Sequence, residues 1–180
     1  MRNLFILICF LMCFPVGIYG IPPSLQVYFD EGFSQPNINE CRGMNQLDTL
    51  YVVARNFNVD IISIEFRIEY PPEFTWIQDL GIPANTLGNT STGLRMEWDI
   101  PQSGTEPLLI LKLLVLWNCD DCFILGHQLF VQANPLSGRL GAERYPDRVF
   151  IDAIPLESLV CGILPIDQTT WGRVKAIYQY

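Results

Sequence analysis

The feature that most constrains the fold of this chain is a strict alternation of apolar and polar residues at positions 62–70. The apolar set is Ile62, Ile64, Phe66, Ile68 and Tyr70, and the polar set is Ser63, Glu65, Arg67 and Glu69. Side chains of a β-strand point alternately to opposite faces, so this segment predicts a strand with one buried face and one face in water. Pro71 and Pro72 end it, since proline cannot donate to a strand ladder. We therefore expect Glu65 and Glu69 to be solvated.

Six other segments have the composition of β-strands and are separated by loops rich in turn residues. They cover residues 25–29, 50–55, 94–99, 108–117, 123–132 and 149–153. Many short strands joined by turns are typical of an all-β protein in which two antiparallel sheets pack face to face. The sequence predicts an antiparallel β-sandwich of about eight strands over residues 21–160.

The first twenty residues have the layout of a secretory signal peptide. Arg2 precedes an apolar run at residues 4–14, Pro15 interrupts that run, and Gly20 provides a small residue for cleavage. The mature protein is then secreted, in the periplasm or outside the cell, with no stable membrane insertion. The alternative is a retained membrane anchor, for which this segment is close to the lower limit of about 17 residues.

Residues 161–180 differ from the rest of the chain. Trp171, Val174, Ile177 and Tyr178 recur at helical spacing, and Thr169 or Thr170 is suited to the N-cap position. We expect a linker followed by a short amphipathic C-terminal helix.

Charge narrows the range of partners. The chain has 19 acidic and 11 basic residues and a formal net charge of −8. An acidic surface repels phosphate backbones, so nucleic acid is disfavoured as a partner. The expected binding partner is therefore an unknown protein or a glycan.

Four cysteines lie outside the predicted signal peptide, and two of them flank a tight turn. Cys119 and Cys122 enclose Asp120 and Asp121, a spacing that permits a disulfide in an exported protein. We expect this bridge and a second one between Cys41 and Cys161.

Two alternatives for these cysteines are a thiol–disulfide redox site and a zinc site. A redox site needs its first cysteine at a helix N-terminus, whereas residues 123–132 have the pattern of a strand. A zinc site is disfavoured because only one C-x-x-C pair is present. We expect neither a metal nor another cofactor.

Sugar-binding modules often expose aromatic side chains, and the candidates here are Trp76, Tyr28 and Tyr51. Neither a nucleophile-elbow sequence nor a glycine-rich phosphate loop is present. The sequence thus predicts a protein that is not an enzyme, with a carbohydrate-binding module as one alternative.

Residues 50–74 carry a family resemblance. The run LYVVARN, a turn and the run ISIEFRIEYPPEF resemble the paired strands of cohesin domains and related carbohydrate-binding-module-like sandwiches. The resemblance extends in element order over residues 25–153. It implies a cohesin-like or immunoglobulin-like β-sandwich that acts as a non-catalytic binding or structural module; cohesins bind dockerins.

The complete chain also resembles a group of exported proteins of uncultured bacteria that end in a T-W-G-x-V-K-x-x-Y tail. The matching residues begin at Thr170 and Trp171 and end at Tyr178. This resemblance implies export and a common fold, and it does not imply a particular activity.

The disulfide prediction is tested by alkylation of the exported protein with and without prior reduction, followed by mass spectrometry. We expect Cys41, Cys119, Cys122 and Cys161 to resist alkylation until they are reduced. Free Cys119 and Cys122 in the folded protein would instead favour redox or metal chemistry at this turn.

Overall fold

The computed structural model describes residues 20–38, 40, 42–119 and 127–160, in which twelve β-strands are present and no helix occurs. In chain order they are β1 (Ser24–Tyr28), β2 (Leu47–Arg55), β3 (Ile61–Glu69), β4 (Phe74–Leu80), β5 (Asn85–Asn89), β6 (Gly93–Gln102), β7 (Leu108–Trp117), β8 (His127–Gln132), β9 (Gly141–Arg144), β10 (Phe150–Asp152), β11 (Ile154–Pro155) and β12 (Ser158–Val160). No helix within these ranges is long and apolar enough to cross a bilayer.

The strands form two sheets. The first sheet has the order β11-β1-β2-β7-β4, and the second has the order β10-β9-β3-β6-β5 with β8 and β12 attached. One edge of β3 pairs with β6, while the other pairs first with β9 and then with β8. Among the strand pairs of the described residues, only β1 and β11 run parallel. Because β3 is paired on both sides, it is a central strand of the second sheet.

The hydrophobic core lies between the two sheets and is built from the inward positions of their strands. The first sheet contributes mainly Leu25, Val27, Leu50, Val52, Leu111, Leu113, Val115 and Trp117, and the second Ile64, Phe66, Ile68, Leu94, Met96, Leu129 and Val131. Phe74 meets the fully buried Trp117 edge-on, with ring centroids 4.4 Å apart. The apolar alternation seen in the sequence is therefore the inner lining of a β-sandwich, as predicted.

The prediction of about eight strands is too low. The strands β4, β5, β9, β11 and β12 were not expected, because they are short or lack an alternating apolar pattern. β5 (NTLGN) forms along the free edge of β6, and β9 (GAER) forms along the free edge of β3. Backbone pairing to a neighbour, rather than intrinsic propensity, stabilises such strands. The predicted C-terminal helix and signal peptide lie outside the described residues.

The prediction that the polar face of β3 is solvated is wrong for half of that face. Ser63 and Glu65 are buried, whereas Arg67 is partly exposed and Glu69 is exposed. Side chains from neighbouring strands and one turn lie over the first two residues, as described below. This face of the second sheet is therefore not an ordinary wet surface.

A buried hydrogen-bond cluster joins the two sheets at one edge of the sandwich. The Asp79 carboxylate on β4 accepts hydrogen bonds from the Thr90 backbone N–H (2.8 Å), the Thr90 hydroxyl (2.6 Å) and Trp76 Nε1 (2.9 Å). Thr90 lies between β5 and β6, and its hydroxyl is 2.7 Å from the Tyr70 hydroxyl. Burial raises the pKa of Tyr70 above its ordinary value. The cluster links β4 of the first sheet to the β5–β6 turn of the second.

We predict that Asp79→Ala lowers the free energy of unfolding by about 2–4 kcal/mol, because buried donors of Thr90 lose their acceptor. Urea unfolding measures this change. Asp99→Ala is the matched control, since Asp99 is exposed and accepts a hydrogen bond from Asn85; its effect should stay within about 0.5 kcal/mol. Equal effects of the two substitutions would contradict a stabilising role of the cluster.

Candidate functional site

The outer face of the second sheet carries a group of five charged side chains, which we call the ionic face. Its members are Glu65 on β3, Arg95 and Glu97 on β6, Glu143 on β9, and Arg148 in the β9–β10 turn. Glu65 lies opposite Arg95, and Ser63 lies between Glu97 and Glu143. The strand register therefore brings these residues together although they are far apart in the sequence.

The ionic face is a continuous chain of ion pairs. Arg95 lies 3.5 Å from both Glu65 Oε1 and Glu143 Oε1, through its Nη1 and Nη2 atoms respectively. Arg148 donates from Nη1 to Glu143 Oε2 at 3.1 Å and from Nη2 to Glu97 Oε1 at 2.5 Å. Three carboxylates thus share two guanidinium groups, and one negative charge is left in excess.

Arg148 reaches the ionic face from a turn rather than from a strand. Its backbone has a left-handed φ of 57°, which is uncommon for a non-glycine residue. The turn is held by a hydrogen bond from Arg144 Nε to Asp147 Oδ1 (3.0 Å). Arg148 bridges Glu97 and Glu143, the two residues that pair with Ser63 on either side, and Ser63 is buried although its position is outward.

The ion pairs shift the pKa values of two members of this group. The hydrogen bond from Arg148, followed by smaller charge effects, lowers the pKa of Glu97 below its ordinary value. The same hydrogen bond, together with that to Glu143, raises the pKa of Arg148. Glu97 is therefore an ionised acceptor at neutral pH.

Next to the ionic face lies a groove with a volume of about 240 Å³. Its walls include two exposed leucines, Leu87 on β5 (70% exposed) and Leu136 in the β8–β9 turn (90% exposed). Glu65, Gly88, Gly93, Arg95, Asn134 and Ser137 complete the lining. The groove therefore combines apolar walls with one end of the charged network.

Asn134 fixes the turn that carries Leu136. This side chain is buried; its Nδ2 donates to the Leu94 carbonyl (3.2 Å), and its Oδ1 accepts from the Leu136 N–H (3.0 Å). A Cβ atom on Gly93, whose φ is +122°, would lie 2.6 Å from Asn134 Oδ1. Only glycine allows the turn to approach β6 this closely.

The sequence-predicted aromatic residues lie elsewhere. Tyr28 and Tyr51 are neighbours on the first sheet, and Phe33 packs between them at centroid distances of 6.1 and 6.2 Å. Arg55 lies over the Tyr28 ring and Lys112 over the Tyr51 ring. Burial raises the pKa of Tyr28, which is only 5% exposed. Phe33 and the cations thus cover much of this aromatic pair.

Trp76 is not part of the same surface. It lies on β4 and donates its indole N–H to the buried Asp79 described above. The structure brings Tyr28 and Tyr51 together but does not bring Trp76 to them. Glycan binding by these residues stays a prediction.

Of the four predicted disulfide cysteines, only Cys119 is among the described residues, where it packs partly buried against the core. Cys41, Cys122 and Cys161 lie outside them, so both pairings stay predictions. Within residues 20–38, 42–119 and 127–160, no group of three histidine, cysteine or acidic side chains could hold a metal ion.

Sequence reasoning missed the residues that make this site. Glu65 was assigned to a solvated face, and Arg148 and Leu136 lie in loops without a recognisable motif. The alternation of β3 and β6 does place Glu65, Arg95 and Glu97 on outward positions. This alternation was the sequence signal from which these three residues of the site could have been identified. Their neighbours could be identified only from the pairing of β3 with β9.

We predict that Arg148→Ala raises the pKa of Glu97 toward the ordinary range of glutamate, as measured by NMR titration of the carboxyl carbon. Because the pKa of folded Glu97 is lowered, its stabilising contribution is present above the ordinary pKa and is lost as the pH falls through the lowered value. Arg139→Ala is the control, since Arg139 lies over the Phe150 ring instead. An unchanged Glu97 pKa in Arg148→Ala would contradict the pairing.

Comparison with solved structures identifies similar folds. The third ScaB cohesin of R. flavefaciens, solved with a group 1 dockerin, is 10% identical to this chain with a TM-score of 0.51; the match covers 79% of this chain and 96% of that one. The CaDoc0917–CaCohA2 complex matches at 13% identity and a TM-score of 0.51, over 77% and 99% of the two chains; CaCohA2 comes from Clostridium acetobutylicum.

No protein-family model and no curated protein matches the sequence. At these identities the structural likeness is evidence for the fold alone. The two packed sheets and these neighbours together confirm the resemblance to cohesin domains noted in the sequence: the chain has a cohesin-like β-sandwich fold.

Proposed function

We propose that this chain is a secreted, non-catalytic protein-binding module that contacts its partner through the ionic face and the adjoining groove. The observation that carries the proposal is the pairing of two strongly exposed leucines, Leu87 and Leu136, with a preformed network of buried and half-buried charges. An apolar surface bordered by polar groups is typical of an interaction site.

The network supports recognition because it is ordered before a partner arrives. Arg95 and Arg148 each bridge two carboxylates, which restricts both long side chains in the free protein. Binding then requires less ordering of side chains, and preorganisation of this kind favours affinity. Fixed charges also select partners by complementarity.

Charge indicates the character of the partner surface. The ionic face has one carboxylate more than it has guanidinium groups. The chain as a whole carries a net charge of −8. A partner with basic side chains is attracted over longer distances and is complementary at contact.

Both similar structures were solved as protein complexes: the ScaB cohesin with a group 1 dockerin, and CaCohA2 with CaDoc0917. For this chain, whose fold is cohesin-like, this supports a protein partner over a glycan. The lowered pKa of Glu97 supports its role as a charged contact group rather than as a proton donor. The signal-peptide features of residues 1–20 support export as part of this proposal.

The test starts with affinity capture from the culture medium and cell-envelope fraction of the source organism. Any captured protein is then produced in pure form, and its Kd for this chain is measured by calorimetry. We expect Leu87→Asp and Leu136→Asp each to weaken binding by about 10- to 100-fold, as expected for the loss of a buried leucine contact worth about 1.5–3 kcal/mol.

Ile154→Asp is the matched control, since Ile154 is also exposed but lies on β11 of the first sheet. It should leave the Kd unchanged. A captured protein that binds all three variants like the unmodified chain would contradict the assignment of this face. If this chain binds to a glycan array and Leu87→Asp abolishes that binding, the result would contradict a protein partner.

A further inference from the structure

We propose that the groove between Leu87 and Leu136 receives a lysine side chain of the partner, with the ammonium group at Glu65. This inference rests on the proposed function and specifies the chemistry of the partner at that site. It follows from the state of Glu65, from the excess of negative charge around it and from the shape of the groove.

One carboxylate oxygen of the buried Glu65 accepts no hydrogen bond from the described residues. The residue is 2% exposed, and its Oε1 atom has no hydrogen-bond partner among the described residues. Its ion-pair contact is with Arg95 Nη1, at 3.5 Å. Buried polar atoms normally have a hydrogen-bond partner, and a buried carboxylate oxygen with an ion-pair contact but no hydrogen bond is incompletely satisfied. Since Glu65 also lines the groove, a ligand in the groove can supply the missing donor.

The local charge favours a cationic donor over a neutral one. Arg95 is shared equally between Glu65 and Glu143, at 3.5 Å from each, while Arg148 serves Glu143 and Glu97. Glu65 therefore receives only part of one guanidinium charge. A hydroxyl group would complete the hydrogen bond but leave the excess negative charge. An ammonium group would complete the hydrogen bond and also neutralise the excess charge.

The shape of the groove favours lysine over arginine. The space is about 240 Å³ and is bordered by Leu87 and Leu136, with Gly88 and Gly93 contributing no side-chain bulk. Lysine combines a four-carbon stem, which packs on apolar surface, with a compact charged end. The planar guanidinium of arginine is suited instead to two parallel bonds to a carboxylate, and one side of Glu65 is already occupied by Arg95.

The first test is an NMR titration with Nα-acetyl-lysine methylamide as the probe. We expect saturable shifts of the backbone amides of Leu87, Gly88, Gly93 and Leu136, with a Kd in the millimolar range typical of so small a ligand. The matched compounds are Nα-acetyl-norleucine methylamide, which has the stem without the charge, and the Nε-acetylated derivative of the probe, which has the length without the charge. Both should bind at least tenfold more weakly.

Glu65→Gln should weaken binding of the lysine probe at least tenfold. Glu69→Gln should not change it, because Glu69 lies on the same strand and face but outside the groove. An unchanged amide spectrum away from the groove shows that Glu65→Gln is folded. If that variant does not fold, the comparison of lysine with norleucine on the unmodified chain still decides the question.

Three results would overturn the lysine inference. They are the absence of saturable shifts, equal binding of the lysine and norleucine probes, and undiminished binding of lysine to Glu65→Gln. The captured partner separates this inference from the proposed function. If Leu87→Asp weakens that complex while Glu65→Gln does not, the face binds a partner but the lysine inference is wrong. If the partner binds every groove variant with an unchanged Kd, the proposed function itself is wrong.

Discussion

The pairing of β3 on both of its edges is the constraint on which the rest of this structure depends. β6 lies along one edge, and β9 and β8 share the other. With this pairing, Ile64, Phe66 and Ile68 point into the core, and Glu65 therefore lies on the outer face. Because side chains alternate with a period of two, a slip of one residue would exchange the two sets. The burial of the apolar set against the first sheet makes such a slip unfavourable, so the core also holds the ionic face in place.

The candidate site arises where strands and turns meet. The strands supply Glu65, Arg95, Glu97 and Glu143 at fixed spacings, and the two turns around β9 supply Arg148 and Leu136. Each turn is anchored: the first by the buried Asn134, the second by the ion pair between Arg144 and Asp147. A surface assembled in this way is ordered without a ligand. This order is the physical basis of the binding role proposed for this face.

The extent to which the fold was predictable depended on the source of stability of each strand. β3, β6 and β7 bury an alternating or continuous apolar set, so their own residues identify them. β5 and β9 have no such pattern, and they exist because β6 and β3 offer them a free edge. The same distinction explains the error at Glu65. Its position within an alternating strand correctly predicted an outward side chain, but outward is not the same as solvated when Arg95 and Glu143 lie beside it.

By itself, the sequence determined the all-β class and the sandwich, because these follow from local alternation and from turn residues. The cohesin-like character came from the resemblance of residues 50–74 to cohesin domains. The sequence also determined an acidic surface, which follows from composition alone. Only the tertiary structure decided which polar residues are buried, and only it brought Glu65, Arg95, Glu143 and Arg148 into contact across about 80 positions of the chain. The physical reason is that a sheet joins residues by backbone pairing between distant segments, and the identity of the paired strands leaves little trace in either segment alone.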